Sequence, residues 1–183
     1  MLTSIVLATL TACGSVADDN AAAADEDAGF SLGPQVTVTF DVTGAKTLKG
    51  KQTALAPTLN GTFNESCAAY AKGSTKDDKT LYAIAGLYNG PVDGKKVTLE
   101  LWIDDYTGAG DYPKDQLTAP GSRPSIAIDN KVYGTWPDST SSKVTTDAKG
   151  GGTWTFKSLA TTGPGGLPGD ALSGTVKWTC SEG

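Results

Sequence analysis

A period of two most narrows what this chain can fold into. Leu172, Gly174, Val176, Trp178 and Cys180 fall on one side of an extended chain, with Ser173, Thr175, Lys177 and Thr179 on the other. Successive strand side chains point to opposite faces, so this pattern describes a half-buried strand whose last inward side chain is a cysteine. Val36, Val38, Phe40 and Val42 alternate in the same way with Thr37, Thr39 and Asp41. Val97, Leu99, Leu101 and Ile103 alternate with Thr98, Glu100 and Trp102. Further strands are expected at 81–88, 125–128, 132–136, 143–146 and 153–159. Turn chemistry separates them: Asn89-Gly90-Pro91-Val92-Asp93-Gly94, Asp129-Asn130-Lys131, and the stretch 147–152. No segment carries a convincing helical period. Residues 65–72 (ESCAAYAK) fit either one helical turn or a strand. The expectation is an all-β fold, an antiparallel β-sandwich with a barrel as the alternative, of about seven to nine short strands.

At 183 residues the chain suits one domain. Its formal charge of −5 is unevenly distributed. Residues 14–34 hold Asp18, Asp19, Asp25, Glu26 and Asp27 and no base; without those five acids, 15 acids face 15 bases. A neutral body with an acidic leader is a poor match for nucleic acid, which is bound through clustered Lys and Arg. It is equally poor for electrostatic attachment to anionic lipid.

The chain opens MLTSIVLATLTAC, an apolar run too short to span a bilayer and of the size of a secretory signal core. Leu10-Thr11-Ala12-Cys13 resembles the bacterial lipobox, in which the cysteine thiol is acylated and the chain is cleaved just before it. The resemblance implies residues 1–12 as a cleaved signal, Cys13 as the lipidated first mature residue, 13–34 as an acidic tether and 35–183 as the β domain. A signal ordinarily begins on basic residues, whereas Leu2 follows Met1 directly; a start codon further upstream accounts for this. The alternative is that residues 2–12 form a buried strand or helix. With Cys13 given to lipid, Cys67 and Cys180 remain as an even pair in an exported, oxidising compartment, where a disulfide is expected; two free buried thiols are the alternative. Tyr106-Thr107-Gly108-Ala109-Gly110-Asp111-Tyr112 and Ser173-Gly174-Thr175-Val176-Lys177-Trp178-Thr179-Cys180 are also similar to segments of bacterial β-sandwich lipoproteins. That resemblance implies a secreted, lipid-anchored domain on a cell or outer membrane, and carries no activity with it.

There is no histidine, which removes Ser-His-Asp and Cys-His catalysis and the usual zinc sites. No nucleophile elbow or P-loop is present. Asp104, Asp105, Asp111 and Asp115 fall within twelve residues, a composition that suits a calcium loop; a solvated turn built on Gly108 and Gly110 is the plainer alternative. Trp102, Asp104, Asp105, Tyr106, Asp111 and Tyr112 are therefore the candidate ligand-binding residues. Trp136, Trp154 and Tyr133 lie near hairpins, where an aromatic face can stack on a sugar. Glu65 and Glu100 are the carboxylates available for a hydrolase. The expected function is a membrane-anchored binding or envelope-structural module with a protein or glycan partner and no obligate cofactor. A calcium-assisted carbohydrate-binding module and a carboxylate-dependent hydrolase are the alternatives.

Overall fold

The structure, a computed structural model, describes residues 33–59, 61, 63–76, 78–84 and 87–183. Cys13, the expected signal and all of the expected tether except Gly33 and Pro34 lie outside these residues. The described chain is all-β and antiparallel throughout. β1 (Gln35–Gly44) starts where the alternation starts, and β2 (Leu48–Leu55) pairs back along it. α1 (Cys67–Tyr70) is a single turn, capped by the Ser66 hydroxyl accepting the Ala69 amide, so 65–72 resolves as helix. Then come β3 (Ser74–Lys76), β4 (Lys79–Ala83), β5 (Leu87–Val92), β6 (Lys95–Glu100), β7 (Trp102–Ile103), β8 (Gly110–Pro113), β9 (Leu117–Thr118), β10 (Ser125–Ile128), β11 (Lys131–Gly134), β12 (Ser141–Thr146), β13 (Gly152–Thr162) and β14 (Pro168–Ser181).

The larger sheet runs β2-β1-β14-β13-β11-β10-β6-β5, with β12 and then β8 branching from β13. Its end strands meet: Val92 of β5 lies against Gly50 of β2, and the Gln52 side chain covers Gly90. The sheet is thus nearly closed, the barrel form of the expected architecture. Long β13 makes this possible. Residues 141–146 pair with its first half, while Ala160 near its end pairs with Gly134 of β11. Between the two halves the β13–β14 register slips, and Ser158 adopts a positive φ of 64°, a bulge that bends the strand. The second sheet, β3-β4-β7-β9, is built of two- to five-residue strands.

Two expectations are corrected here. The run 81–88 is not one strand: it divides into β4 and β5, which belong to different sheets. Asn89-Gly90-Pro91 is not a turn but lies within β5, where Asn89 has φ 52° at a register slip. Only Asp93-Gly94 turns, both with positive φ, as do Asp129-Asn130 between β10 and β11, the backbone that a two-residue hairpin requires. The run 97–103 keeps its alternation but changes sheet at Leu101.

The two sheets are fastened by tyrosines. Tyr70, Tyr82, Tyr106 and Tyr112 are buried, and successive ring centroids lie 4.9, 4.7 and 5.3 Å apart. Each hydroxyl donates to a backbone carbonyl: Tyr70 to Ala83, Tyr82 to Gly150, Tyr106 to Ala71 and Tyr112 to Gly108. The Tyr82 hydroxyl also accepts from the Trp178 indole at 3.1 Å, which joins β4 of the small sheet to β14 of the barrel. Beside it, Cys67 and Cys180 form the expected disulfide, closing a sequence separation of 113 residues. Cys180 lies on the same side of β14 as buried Val176 and Trp178, as its parity required. Gly150 sits where α1, the Tyr70 ring and Cys180 converge; a Cβ there would come 2.9 Å from Tyr70.

Replacing both bridging cysteines by alanine should lower the unfolding free energy by about 4 kcal/mol, read from full denaturant curves, with a steeper slope because the denatured chain loses its cross-link. Burial pushes the Tyr82 phenol far above its ordinary value and raises Tyr106 and Tyr133 in the same direction. A raised folded-state value means that stability is full below the unfolded phenol's pKa of about 10 and falls as pH climbs past it. In an alkaline titration, phenolate absorbance from Tyr82 should appear only as the fold is lost; ionisation of every tyrosine with the fold intact would contradict this.

Candidate functional site

The outward face of the barrel differs from one side to the other. On β1, β2 and β14 it carries Thr37, Thr39, Asp41, Lys49, Lys51 and Lys177. On β6, β10, β11 and β13 the register aligns Glu100, Ser125, Gly134 and Ala160 in one row across the four strands. Thr98, Ala127 and Val132 form the adjacent row. At about 4.8 Å between strands, four strands span about 14 Å. Short side chains leave a trough of about 600 Å³ along this face.

Two residues from flanking segments wall it. Trp136, just past β11, is half-buried and donates its indole N–H to the Ala160 carbonyl at 3.0 Å. This folds the ring back over Gly134, whose ideal Cβ would lie 3.6 Å from Trp136 Cδ1. Arg123 comes from the loop after β9, and its guanidinium donates to the Trp136 carbonyl at 3.1 Å. That loop is shaped by the Ser122 amide bonding to Ala119 and by the Thr135 amide bonding to Pro124. Glu100 and Arg123 are the charged residues lining the trough, and they do not pair with each other. Glu100 is half-buried, and its carboxylate makes no hydrogen bond or ion pair among the described residues. An acceptor-only carboxylate, a donor-only guanidinium and an indole thus face one concave surface of small-molecule size.

The residues singled out from sequence are distributed differently from the expectation. Tyr106 and Tyr112 are buried in the tyrosine stack, 4% and 3% exposed; Tyr106 also borders a hollow with Lys72, Thr80 and Gly108, separate from the trough. The Y-T-G-A-G-D-Y segment is a buckle between them. Gly108 takes a positive φ of 111° and its carbonyl accepts from Tyr112 and Thr146, whereas Gly110 simply begins β8. Three of the acids proposed for calcium are engaged by lysines, Asp104 and Asp105 by one and Asp111 by another. Lys79 lies 3.5 Å from Asp104 and 3.8 Å from Asp105; Asp111 accepts from Lys143 at 2.8 Å and from the Thr145 hydroxyl at 2.6 Å. Among the described residues no three His, Cys, Asp or Glu side chains form a group able to hold a metal ion. Trp102 is half-buried and shares a separate hollow of about 290 Å³ with Asp104, Lys79 and Pro120. Trp154 and Tyr133 are core residues. Trp154 donates to Ser142, while the buried Tyr133 hydroxyl has no partner among the described residues. Glu65 is exposed beside α1 and does not line the trough with Glu100, so the two are not a pair facing one cleft. Arg123 drew no attention in the sequence, and nothing local marks it.

Compared with protein families, curated proteins and solved structures, the chain shows no match.

The Lys143 ammonium, followed by the Thr145 hydroxyl, holds the Asp111 carboxyl below the ordinary carboxylate range. Its lowered folded-state value means that any contribution to β8–β12 pairing is present above about pH 4 and is lost as pH falls through the Asp111 value. Carboxyl-carbon NMR titration should place Asp111 below its unfolded value and return it toward that value in Lys143→Met; an unmoved midpoint would show that the contact does not form in solution.

Proposed function

We propose that this chain is an exported bacterial lipoprotein, held to a membrane through acylated Cys13, whose β domain is a binding module with the trough as its ligand site. The observation that carries the binding reading is the trough itself: a half-buried Glu100 carboxylate without a partner among the described residues, Arg123 unpaired with it, and Trp136 pinned along the wall. A carboxylate, a guanidinium and an indole that line one concave surface, the two charges unpaired with each other, are groups a polar ligand can engage directly. The lipobox resemblance at 10–13 supports the anchor. The Cys67–Cys180 disulfide supports an oxidising compartment, because such bridges persist outside the reducing cytosol. No helix of the described residues is long and apolar enough to cross a membrane.

Intact-mass analysis of the protein extracted from bacterial membranes should give a chain beginning at Cys13 with fatty acyl mass added. Cys13→Ser should abolish both cleavage before residue 13 and acyl labelling. An unacylated N-terminus in the wild type would overturn the anchor and leave the trough to be tested by itself.

A further inference from the structure

Accepting the trough as a ligand site, we propose that its ligand is a neutral oligosaccharide. Three features of the site point there. The first is charge. One acid and one base line the trough, so a ligand with net charge of either sign meets repulsion as well as attraction. Glu100 offers only acceptors and Arg123 only donors, and a hydroxyl satisfies either because it can donate and accept. A row of sugar hydroxyls along the Glu100-to-Ala160 line meets both without bringing a charge of its own.

The second feature is the state of the backbone. Extended peptides commonly dock by adding a strand at an open sheet edge. Here β6 and β10 are each paired on both sides, while β11 pairs with β10 along its length and meets β13 at Gly134–Ala160. The main-chain groups of β6 and β10 under the trough are already used in ladders on both sides, so recognition there falls to side chains. The floor residues Ser125, Ala127, Gly134 and Ala160 are also too short to wall off pockets for peptide side chains. The third feature is Trp136. Its indole N–H is tied to the Ala160 carbonyl, which fixes the ring before any ligand arrives. A pre-oriented aromatic surface beside polar groups suits the apolar face of a pyranose ring, and its fixed rotamer lowers the entropic cost of binding.

The test uses the full chain in a sugar-free detergent. It is titrated calorimetrically with a panel of cello-, chito-, malto- and manno-oligosaccharides, a panel of uronic-acid and sulfated oligosaccharides, and a panel of unstructured peptides. The expected result is binding to a neutral oligosaccharide, weakened about tenfold or more in Trp136→Ala, Glu100→Gln and Arg123→Gln, and unchanged in Trp102→Ala, whose side chain lies in the other hollow. Near-UV circular dichroism and melting confirm that each variant is folded; Glu100→Gln and Arg123→Gln keep the test open if Trp136→Ala is not. Binding only of charged glycans or of peptides, lost in the same three variants, would overturn the neutral-sugar proposal and leave the trough as the ligand site. Neutral-sugar binding lost in Trp102→Ala and retained in the other variants would overturn the placement. Failure of the folded wild type to bind any panel would overturn both the ligand class and the binding reading.

Discussion

The Tyr82 hydroxyl donates to the Gly150 carbonyl and accepts from the Trp178 indole, and most of the architecture depends on that junction. The small sheet could not stand alone: strands of two to five residues pair too few backbone groups to offset their ordering entropy. It is held by a file of four buried tyrosine rings, drawn from α1, β4, the loop after β7 and β8 of the larger sheet, whose hydroxyls all reach backbone carbonyls. The disulfide adds a covalent tie one turn from Tyr70, so the C-terminal strand and α1 cannot separate while the stack is in place. Removing the Tyr82 hydroxyl would leave two buried partners unsatisfied at once, a loss of about 1–3 kcal/mol each rather than of one net hydrogen bond.

The trough inherits its shape from that junction. β7 continues directly from β6, so fixing the small sheet fixes the end of the strand that carries Glu100. β9 pairs with β7, and the segment after it carries Arg123 to the trough wall. The β13 side of the trough follows from the bulge at Ser158, which redirects β13 from β12 to β11 and sets Ala160 beside Gly134. Trp136 then uses the Ala160 carbonyl as its anchor. A bulge, a sheet switch and one indole hydrogen bond make a concave face from four strands that would otherwise present a flat one.

Much of the fold was legible because burial on one face imposes a period of two. The alternation through β1, β6, β7 and β14, the inward parity of Cys180 and the Asp129-Asn130 hairpin all appear in the residues themselves. β2 did not, and its reason is the barrel seam. Its inward positions are Leu48, Gly50, Gln52 and Ala54, and close approach of Val92 to Gly50 and of Gln52 to Gly90 requires little bulk there. The same seam explains why Asn89-Gly90-Pro91, turn-like in composition, is a strand: β5 ends the sheet path, where a proline removes no ladder hydrogen bond on its outer side. The Tyr106–Tyr112 segment misled because two aromatics around a glycine turn look alike whether they receive a ligand or stack in a core. Glu100 and Trp136 were visible as residues, but their convergence with Arg123 depends on the register of four strands, which no local pattern encodes.

Native-state hydrogen exchange tests the dependence on the tyrosine junction most directly. The Ile84 amide, bonded to the Leu101 carbonyl, and the Asp104 amide, bonded to the Gln116 carbonyl, report on the small sheet; the ladder amides of β14 report on the barrel. If the junction unites the two sheets, both sets open together with the free energy of global unfolding, and Tyr82→Phe lowers protection of the small sheet first. Exchange of Ile84 and Asp104 at a much smaller free energy than β14 in the unaltered protein would show that the sheets open independently.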